Sequence, residues 1–470
     1  MPAPIDFILN DREVRTSSSP GTPVLDYLRA EAGLMGTKEG CREGDCGACT
    51  VLTGEPDGTG VRYQPVTSCL LPLGELQGKH LVTIEGLNLP QLTPVQQAIV
   101  DQGATQCGFC TPGIVVSLTG YLMQAGPPVN LDGVKLALSG HLCRCTGYSS
   151  LKHCTAALQD AVDGPTSLDA LLARHMLPAY FGGIPERLRN LPAAERPDGP
   201  PVPDYFMAGG TDLYVQEDYR VTDAQIDVLN LRPNLRGIVR ENNHVKVGAL
   251  TTFEEFSHDP HILGLWPDVE AASRLIASWQ IRNRATLGGN IMNASPIGDL
   301  TIMLLALDAR LVLRRGDTHR TVSLRSFYRG YKDMDRAPDE LLIEIVLPVP
   351  PADNRFHFEK VSKRKYLDIA SVNCALSVTT ADGVMTDVGL AVGGVAPIPL
   401  FMLQTGQYLT GKPVSVETVQ GGIRAAQEEA APISDIRGSA DYKRLLVRQL
   451  MIAQFATLFP QEISVRAFYA

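Results

Sequence analysis

The sequence predicts a multidomain α+β protein, and three observations support this fold class. The chain has 470 residues, enough for about three or four domains that each bury a core. Nine of its ten cysteines lie within the first 154 residues, and two glycine-rich stretches lie far beyond them. Apolar periodicity changes from short strands to helices and back to strands. We therefore expect domains at 1–86, 87–162, 177–350 and 355–465, with a linker at 163–176.

Residues 1–86 have the pattern of mixed strands around a single helix. Ile5–Leu9 and Arg12–Arg15 read as two short strands, and Pro23–Ala32 has apolar side chains on one helical face. Further strands are expected near Cys49–Thr53, Val61–Tyr63 and Leu81–Ile84. This order is typical of a β-grasp, ferredoxin-like domain with a cysteine-rich loop at its edge.

The first cysteine set has the spacing C-x4-C-x2-C and a later fourth thiol: Cys41, Cys46, Cys49 and Cys69. This is the spacing of a plant-type [2Fe-2S] site. Three sulfurs reach one small cluster only if the loop folds back tightly, which glycine permits through positive φ. Three glycines in the loop provide that freedom: Gly40, Gly44 and Gly47. The spacing therefore predicts one iron-sulfur cluster here.

The second cysteine set has a different spacing, C-x2-C followed by C-x-C: Cys107, Cys110, Cys143 and Cys145. Four helices are predicted around it, beginning near Pro94, Thr111, Val134 and Leu151. These cysteines then lie at helix ends, where an N-terminal dipole favours a negatively charged cluster. We expect a helical bundle that holds a second cluster.

The cysteines have two alternative uses, disulfides and zinc binding. Disulfides suit small secreted proteins, whereas this chain is long and crowds its cysteines into one third of its length. A four-thiolate zinc site is the stronger rival for the second set, although a C-x-C pair is unusual for zinc. Cys154 and Cys374 are expected to be ordinary buried thiols.

Composition excludes several classes of function. The net charge of -9 argues against nucleic acid as the main partner. The sequence has no apolar run of about 18 residues that could span a membrane, and its start lacks the pattern of a signal peptide. Many thiols without an export signal indicate a reducing compartment, so we expect a cytoplasmic protein.

Two glycine-rich stretches follow the cysteine region, at 208–213 and 286–299. A Gly-Gly pair lets backbone N–H groups approach a phosphate, but either stretch alone is equally consistent with a simple turn. The sequence has no G-x-G-x-x-G with an acidic residue about 20 positions later, so a Rossmann-type dinucleotide site is not expected.

Taken together, these motifs resemble the molybdenum hydroxylases, whose members include xanthine dehydrogenase, aldehyde oxidase and carbon monoxide dehydrogenase. The resemblance is carried by the stretches 36–50, 106–113 and 143–148, and by the two glycine stretches. It implies two [2Fe-2S] clusters, with the helical one nearer the molybdenum centre and the β-grasp one nearer the flavin. It also implies a vanillyl-alcohol-oxidase-like FAD domain and an α+β C-terminal flavoprotein subdomain.

The resemblance further implies which residues contact FAD. They are Met207, Ala208, Gly209, Gly210, Thr211, Asp212, Thr286, Leu287, Gly288, Gly289, Asn290, Asp299, Leu342 and Lys360. A loop beside the flavin ring would contain Arg364, Asp368 and Ile369. Ser371 stands where some relatives have lysine, so no role is assigned to a charge there.

The resemblance also implies a function. Because the chain ends at Ala470, we expect the small iron-sulfur/FAD subunit of a xanthine dehydrogenase with a large molybdopterin-binding partner, as an (αβ)2 heterotetramer. Electrons from hypoxanthine or xanthine would pass through both clusters to FAD and then NAD+. The alternatives are another molybdenum hydroxylase that oxidises aldehydes or N-heterocycles, a reductase for a separate oxygenase, and a non-enzymatic iron-sulfur sensor.

Overall fold

The computed structural model describes residues 4–58, 60–124, 129–162, 164, 166–192, 203–217 and 219–469. The chain forms two compact units. The first contains residues 1–231 and 278–285, and the second contains residues 232–277 and 286–470.

The first unit begins with a five-stranded sheet of β-grasp type. Its order is Arg12–Thr16, Ile5–Leu9, His80–Val82, Thr50–Asp57 and Gly60–Thr67. Ile5–Leu9 and His80–Val82 are parallel to each other, and the other neighbouring strands are antiparallel. The expected helix is present as Val24–Asp26 continued by a π-helical turn, Tyr27–Glu31. The last strand is shorter than expected because Ile84 begins a 3-10 helix. Phe7, Leu28 and Val51 lie in the core between helix and sheet.

The predicted helical region is confirmed. Its four helices are Pro94–Asp101, Thr111–Gln124, Leu131–Leu138 and Ser149–Ala161. The first begins with a capping box, in which the Thr93 hydroxyl accepts from Gln96 N and the Gln96 side chain accepts from Thr93 N. These caps and a shared apolar core position the loops that contain the second cysteine set.

The remainder of the first unit differs from the expected linker and loop. The segment expected as a linker contains a helix, Leu168–Ala173, capped by Ser167. The proline content of residues 185–203 predicts a surface loop, but the stretch starts in the helix Ile184–Asn190, because a proline in the first turn is compatible with a helix. Residues 193–202 lie outside the described part of the chain. The unit is completed by Tyr205–Met207, Leu213–Glu217, Tyr219–Asp223, Ile226–Val228 and Trp279–Arg282.

The second unit contains two main antiparallel sheets. The first has the strand order Thr318–Ser323, Arg310–Arg315, Leu341–Pro348, His244–Gly248 and Ile238–Glu241. A small pair, Tyr328–Gly330 with Asp333–Met334, lies in the chain between two strands of this sheet, Thr318–Ser323 and Leu341–Pro348. The helices of this part are Phe253–His258, Pro260–Leu265, Val269–Ser273, Leu287–Asn293 and Asp299–Ala306.

The second sheet belongs to the C-terminal part of the same unit. Its strands are Asn354–Val361, Val372–Ala381, Val384–Gly393 and Leu400–Phe401, in that order. The helices Leu403–Leu409, Val416–Glu429 and Ala440–Leu458 complete it, and their buried side chains form one core with the strands. Among the described residues, no helix combines the length and the apolar character needed to cross a bilayer.

Candidate iron-sulfur and flavin sites

The structure brings the first cysteine set together as two pairs of thiols. Cys41 and Cys46 are hydrogen-bonded to each other, and so are Cys49 and Cys69. The Cys46 thiol lowers the pKa of Cys41 to about 5 against the opposing effect of burial. Two irons that each take two thiolates need this two-and-two arrangement, so the donor set fits a [2Fe-2S] cluster.

The second set is also divided into two pairs. Cys107 is hydrogen-bonded to Cys145, and Cys110 to Cys143. All of these thiols are free of disulfides. In the described part of the chain, no three His, Cys, Asp or Glu side chains converge on a single ion. The thiols of this set therefore have the same two-and-two arrangement as those of the first set.

The two sets differ in how deeply the protein encloses them. Cys49 and Cys69 are buried, whereas Cys107 and Cys145 are exposed. The loop of the first set is further fixed by Arg42, which forms ion pairs with Asp26 at 2.6 Å and with Glu39 at 2.7 Å. The second set is thus the one that reaches the surface of the first unit.

The loops of the two sets contact each other. The Leu142 N–H, one residue before Cys143, donates to the Cys46 carbonyl at 3.0 Å. Gly47 has a φ of +67°, and a Cβ there would lie 2.4 Å from His141 Nδ1 and 2.5 Å from the Gly140 carbonyl oxygen. Only glycine allows this close approach, so the first loop lies directly against the residues that lead into the second.

His141 is held between these loops by an amide. Gln280 Nε2 lies 3.3 Å from His141 Nε2 and also donates to Ser117 Oγ at 2.7 Å. Burial lowers the pKa of His141 to about 3, so the ring is neutral at physiological pH. If Nε2 accepts from the amide, then Nδ1 carries the proton, and Nδ1 has no hydrogen-bond partner among the described residues.

The first glycine loop follows the strand that ends at Met207. Gly210 has a φ of +70°, and a Cβ there would lie 2.7 Å from the carbonyl oxygen of Leu70, the residue after Cys69. Ala208, Gly209 and Thr211 belong to the same turn, and Asp212 accepts a hydrogen bond from Gln216. The predicted FAD loop therefore packs on the segment that contains Cys69 of the first cysteine set.

The second glycine loop is the start of the helix Leu287–Asn293 in the second unit. The Thr286 hydroxyl caps this helix by accepting from Gly289 N at 3.0 Å. A Cβ at Gly288 would lie 2.7 Å from the Ala249 carbonyl oxygen, so glycine is needed there for packing within the protein itself. Asn290 Oδ1 accepts from the Thr301 hydroxyl at 2.8 Å.

The other predicted FAD contacts include a buried ion pair. Lys360 Nζ lies 2.7 Å from Asp299 Oδ2 and also donates to the Leu275 carbonyl at 2.8 Å. Asn373 donates to the other Asp299 oxygen at 2.5 Å. Leu342 is buried in a strand. The structure thus joins Lys360 to Asp299, 61 positions apart in the sequence.

The predicted ring-side loop is closed by its own side chains. Asp368 Oδ2 accepts from Arg364 N at 2.9 Å, and Leu367 between them has a φ of +60°, which is unusual for leucine. Ser371 donates to the Arg437 carbonyl at 2.8 Å. Asp368 therefore maintains the shape of this loop as well as its charge.

Several residues at these sites were not found from the sequence. Arg284 forms a buried ion pair with Glu75, 209 positions away, and donates to the carbonyl of Gly209. His141 and Gln280 were missed for the same reason, since their partners are distant in the chain. Arg284 lies two residues before Thr286, which could have indicated that it belongs to the predicted FAD site. Its position in the sequence does not indicate that Glu75 is its partner.

Comparisons with known proteins agree with these sites. Four family models match: a 2Fe-2S iron-sulfur cluster binding domain at 7–73, a [2Fe-2S] binding domain at 83–156, an FAD binding domain in molybdopterin dehydrogenase at 203–350, and a CO dehydrogenase flavoprotein C-terminal domain at 357–458. Two cluster-binding regions and one flavin-binding region are thus matched independently of the geometry.

Relatives and solved structures point the same way. The chain is 29% identical to xanthine dehydrogenase 1 of Arabidopsis thaliana and 29% identical to xanthine dehydrogenase of Emericella nidulans, with 88% and 89% of this chain covered. It spans 36% of the length of each of these relatives. A carbon monoxide dehydrogenase structure from Hydrogenophaga pseudoflava is 31% identical with a TM-score of 0.50, covering 53% of this chain and 86% of that one.

Proposed function

The chain belongs to the molybdenum hydroxylase family, and on that premise we propose that it is the electron-transfer subunit of such an enzyme. When bound, the two [2Fe-2S] clusters carry single electrons and FAD joins them to two-electron transfer with NAD+ as the acceptor.

One observation carries this proposal, a continuous series of contacts inside the first unit. Leu142, next to Cys143, is hydrogen-bonded to Cys46. Leu70, next to Cys69, packs on the turn at Gly210. The second cysteine set, the first set and the first glycine loop therefore follow one another by direct backbone contact. Electron transfer needs short distances between cofactors, and a series of contacts supports such distances. The proposed order is the second set, the first set and then the first glycine loop.

The chain's own residues give this series a direction. Cys107 and Cys145 are exposed, so an electron donor outside the described residues can approach the second set. In the first set Cys49 and Cys69 are buried and no thiol is fully exposed, so this set is the more enclosed of the two. We infer that electrons enter at the second set and leave at the flavin.

We propose that both glycine loops bind FAD. The first loop is supported by its tight turn, in which Gly210 has a φ of +70°. In the second loop the N–H groups of residues 287–289 are already bonded within the protein, so its support is the family match. The FAD-binding family match at 203–350 includes both loops. Arg364 and Asp368 are proposed to lie beside the flavin ring, where they would affect the reaction with NAD+.

We propose a purine, hypoxanthine or xanthine, as the substrate, oxidised at a molybdopterin centre on a large partner subunit of a cytoplasmic (αβ)2 heterotetramer. The xanthine dehydrogenases among the relatives support this choice. The likeness to a carbon monoxide dehydrogenase favours a second candidate, the same electron-transfer role in a molybdenum hydroxylase with another substrate.

The test separates the two ends of the path. The purified chain should bind FAD and contain about four iron and about four acid-labile sulfides. Alone, it should reduce an artificial dye with NADH and should not hydroxylate xanthine. With the partner subunit, xanthine should reduce NAD+, and Cys107→Ser should abolish this reaction while NADH-to-dye activity persists.

A matched control is the change of a cysteine outside both sets. Cys154 is buried and belongs to neither set, so Cys154→Ala should retain both activities. Stoichiometric zinc in place of iron, or dye reduction that is lost together with xanthine oxidation in Cys107→Ser, would contradict the proposed path. NADH-dependent activity with a small oxygenase in place of the partner would support the reductase alternative.

A further inference from the structure

Arg284 is a buried cation that holds the first glycine loop by two kinds of contact. Its side chain is 3% exposed, and its Nη2 donates to the Gly209 carbonyl at 2.7 Å. Its own backbone carbonyl oxygen would lie 2.1 Å from a Cβ at Gly209. One residue therefore fixes both the orientation of the Gly209 carbonyl and the space beside its α-carbon.

Arg284 is in turn fixed by a carboxylate of the ferredoxin-like domain. Its two terminal nitrogens lie 2.9 and 2.7 Å from the two oxygens of Glu75, a bidentate pair that fixes the plane of the guanidinium group. The side chain of Glu75 is 7% exposed. A charge pair this well enclosed is costly to leave half formed, so each partner holds the other in place.

The pair belongs to a series of four alternating charges. Lys79 Nζ lies 3.2 Å from Glu75 and 2.6 Å from Glu55, so the order is Glu55, Lys79, Glu75, Arg284. Burial alone would raise the pKa of Glu75, but the charges of Arg284 and Lys79 lower it to about 2. These four charges belong to a longer series, because Arg62 lies 3.4 Å from Glu55.

The glycine loop is thus enclosed on two sides by the domain of the first cluster. Arg284 and Glu75 hold Gly209, while the Leu70 carbonyl lies against Gly210. Tyr214, four residues after Gly210, donates to the Gly21 carbonyl at 2.9 Å. Backbone N–H groups that bind a phosphate must have fixed directions, and a rigid neighbouring carbonyl fixes them.

We propose that Arg284 and Glu75 are positioning residues for FAD, because Arg284, fixed by Glu75 of the ferredoxin-like domain, sets the conformation of the Gly209–Gly210 turn. This inference rests on the proposed function, in that the turn is taken to bind FAD. It adds that FAD affinity depends on a charge pair that does not touch the cofactor, and that this pair joins the flavin loop to the first cluster's domain.

The test measures the dissociation constant of FAD from apoprotein stripped of flavin but with both clusters intact. Arg284→Met should weaken FAD binding by about tenfold or more, since a charge-assisted hydrogen bond to the loop is lost. Arg284→Lys keeps the charge but not the fork, so it should regain part of that affinity. The circular dichroism of residual bound flavin should change in Arg284→Met, which reports on the geometry of the site.

Arg187→Met is the matched control. Arg187 lies in the same unit and also bridges a carboxylate and a carbonyl, with Asp11 Oδ1 at 2.7 Å and the Asp11 carbonyl at 3.2 Å, but it lies away from the glycine loop. The Arg187→Met variant should be less stable than the unmodified chain, but its affinity for FAD should stay within twofold of that chain. Both cluster signals should persist in all variants.

The outcomes separate this inference from the proposed function. If the unmodified chain does not bind FAD, the proposed function fails. If it binds FAD and Arg284→Met binds FAD equally well, the positioning role is wrong. If Arg284→Met does not fold, Glu75→Gln provides the measurement, because it removes the charge that fixes Arg284 and leaves the arginine in place. Unchanged FAD affinity and flavin dichroism in Glu75→Gln would then overturn the inference.

Discussion

The two cysteine sets hold four thiols each, in two pairs each, yet they lie in different surroundings. The first is enclosed by a five-stranded sheet and a loop tied down by Arg42. The second lies between helices, with Cys107 and Cys145 exposed. The two sets thus have the same four thiols but different exposure. The more enclosed first set and the more exposed second set suit the inner and outer ends of the proposed electron-transfer path.

The difference extends to the electrostatics around each set. The sheet domain of the first set contains the buried series of Glu55, Lys79 and Glu75. In the helical region of the second set, the ion pair found among the described residues is a pair at the surface, Lys135 with Asp132. Substitutions that remove a charge should therefore change the stability of the first set's domain. The rate at which solvent reagents attack a cluster should depend mainly on the exposed thiols of the second set.

The largest expected effect comes from removing one ligand of either set. Cys46→Ser should eliminate the electron paramagnetic resonance signal of the first reduced cluster, and Cys107→Ser that of the second, because a serine oxygen is a poor substitute for a thiolate. Iron should fall from about four to about two per chain in each variant. Loss of both signals from either change would mean that the two sets are not independent sites.

The contact between the sets can be tested through two glycines with similar backbone angles. Gly47 has a φ of +67° and Gly108 a φ of +81°, so alanine at either costs about 1–2 kcal/mol in backbone strain. A Cβ at Gly47 would also strike His141 and the Gly140 carbonyl, whereas a Cβ at Gly108 meets no atom within 4 Å.

Gly47→Ala should therefore shift the reduction potentials of both clusters or prevent assembly of one. Gly108→Ala lies in the loop of the second set and makes no contact with the first, so it should leave the potential of the first cluster in place. Potentiometric titration of both signals, together with chemical denaturation, distinguishes the two effects. Equal potentials in the two variants would show that the contact through Gly47 is not needed for either cluster.

Local patterns predicted much of this architecture, and long-range pairs explain what they missed. The spacing of the cysteines and the capping residues Thr93 and Pro94 are short-range signals, and the fold class and the first helix of the bundle follow from them. The pairing of Arg284 with Glu75 spans 209 positions, and a single sequence contains no periodicity that links them. The helix Leu168–Ala173 was missed because it is short and lies in a segment without a clear apolar face.

The charge series in the first set's domain predicts a response to acid. The pKa of Glu75 is lowered from 4.5 to about 2, so its contribution to stability is complete above about pH 4.5 and is lost as the pH falls toward 2. At neutral pH, Glu75→Gln should lower the free energy of unfolding by about 3 kcal/mol, since the buried charge of Arg284 loses its partner.

The difference between Glu75→Gln and the unmodified chain should shrink as the pH falls from about 4.5 to about 2, because both then have a neutral side chain at this position. Urea unfolding of cluster-free protein at several pH values measures this difference. A difference that stays constant across that range would mean that Glu75 is not ionised in the folded chain.

The smallest expected effect concerns the rate at which each cluster is lost to a chelator. Because Cys107 and Cys145 are exposed while Cys49 and Cys69 are buried, the second cluster should decay about tenfold faster than the first when holoprotein meets an iron chelator and an oxidant. The two paramagnetic signals allow both rates to be followed in one sample.

If the exposed face is where the large subunit docks, adding that subunit should slow the loss of the second cluster and leave the rate of loss of the first cluster unchanged. Equal rates for the two clusters would show that exposure of the outer thiols does not govern access. If the partner slowed the loss of the first cluster alone, the partner would dock beside the first set. Electrons would then enter at the first set, which contradicts the direction proposed above.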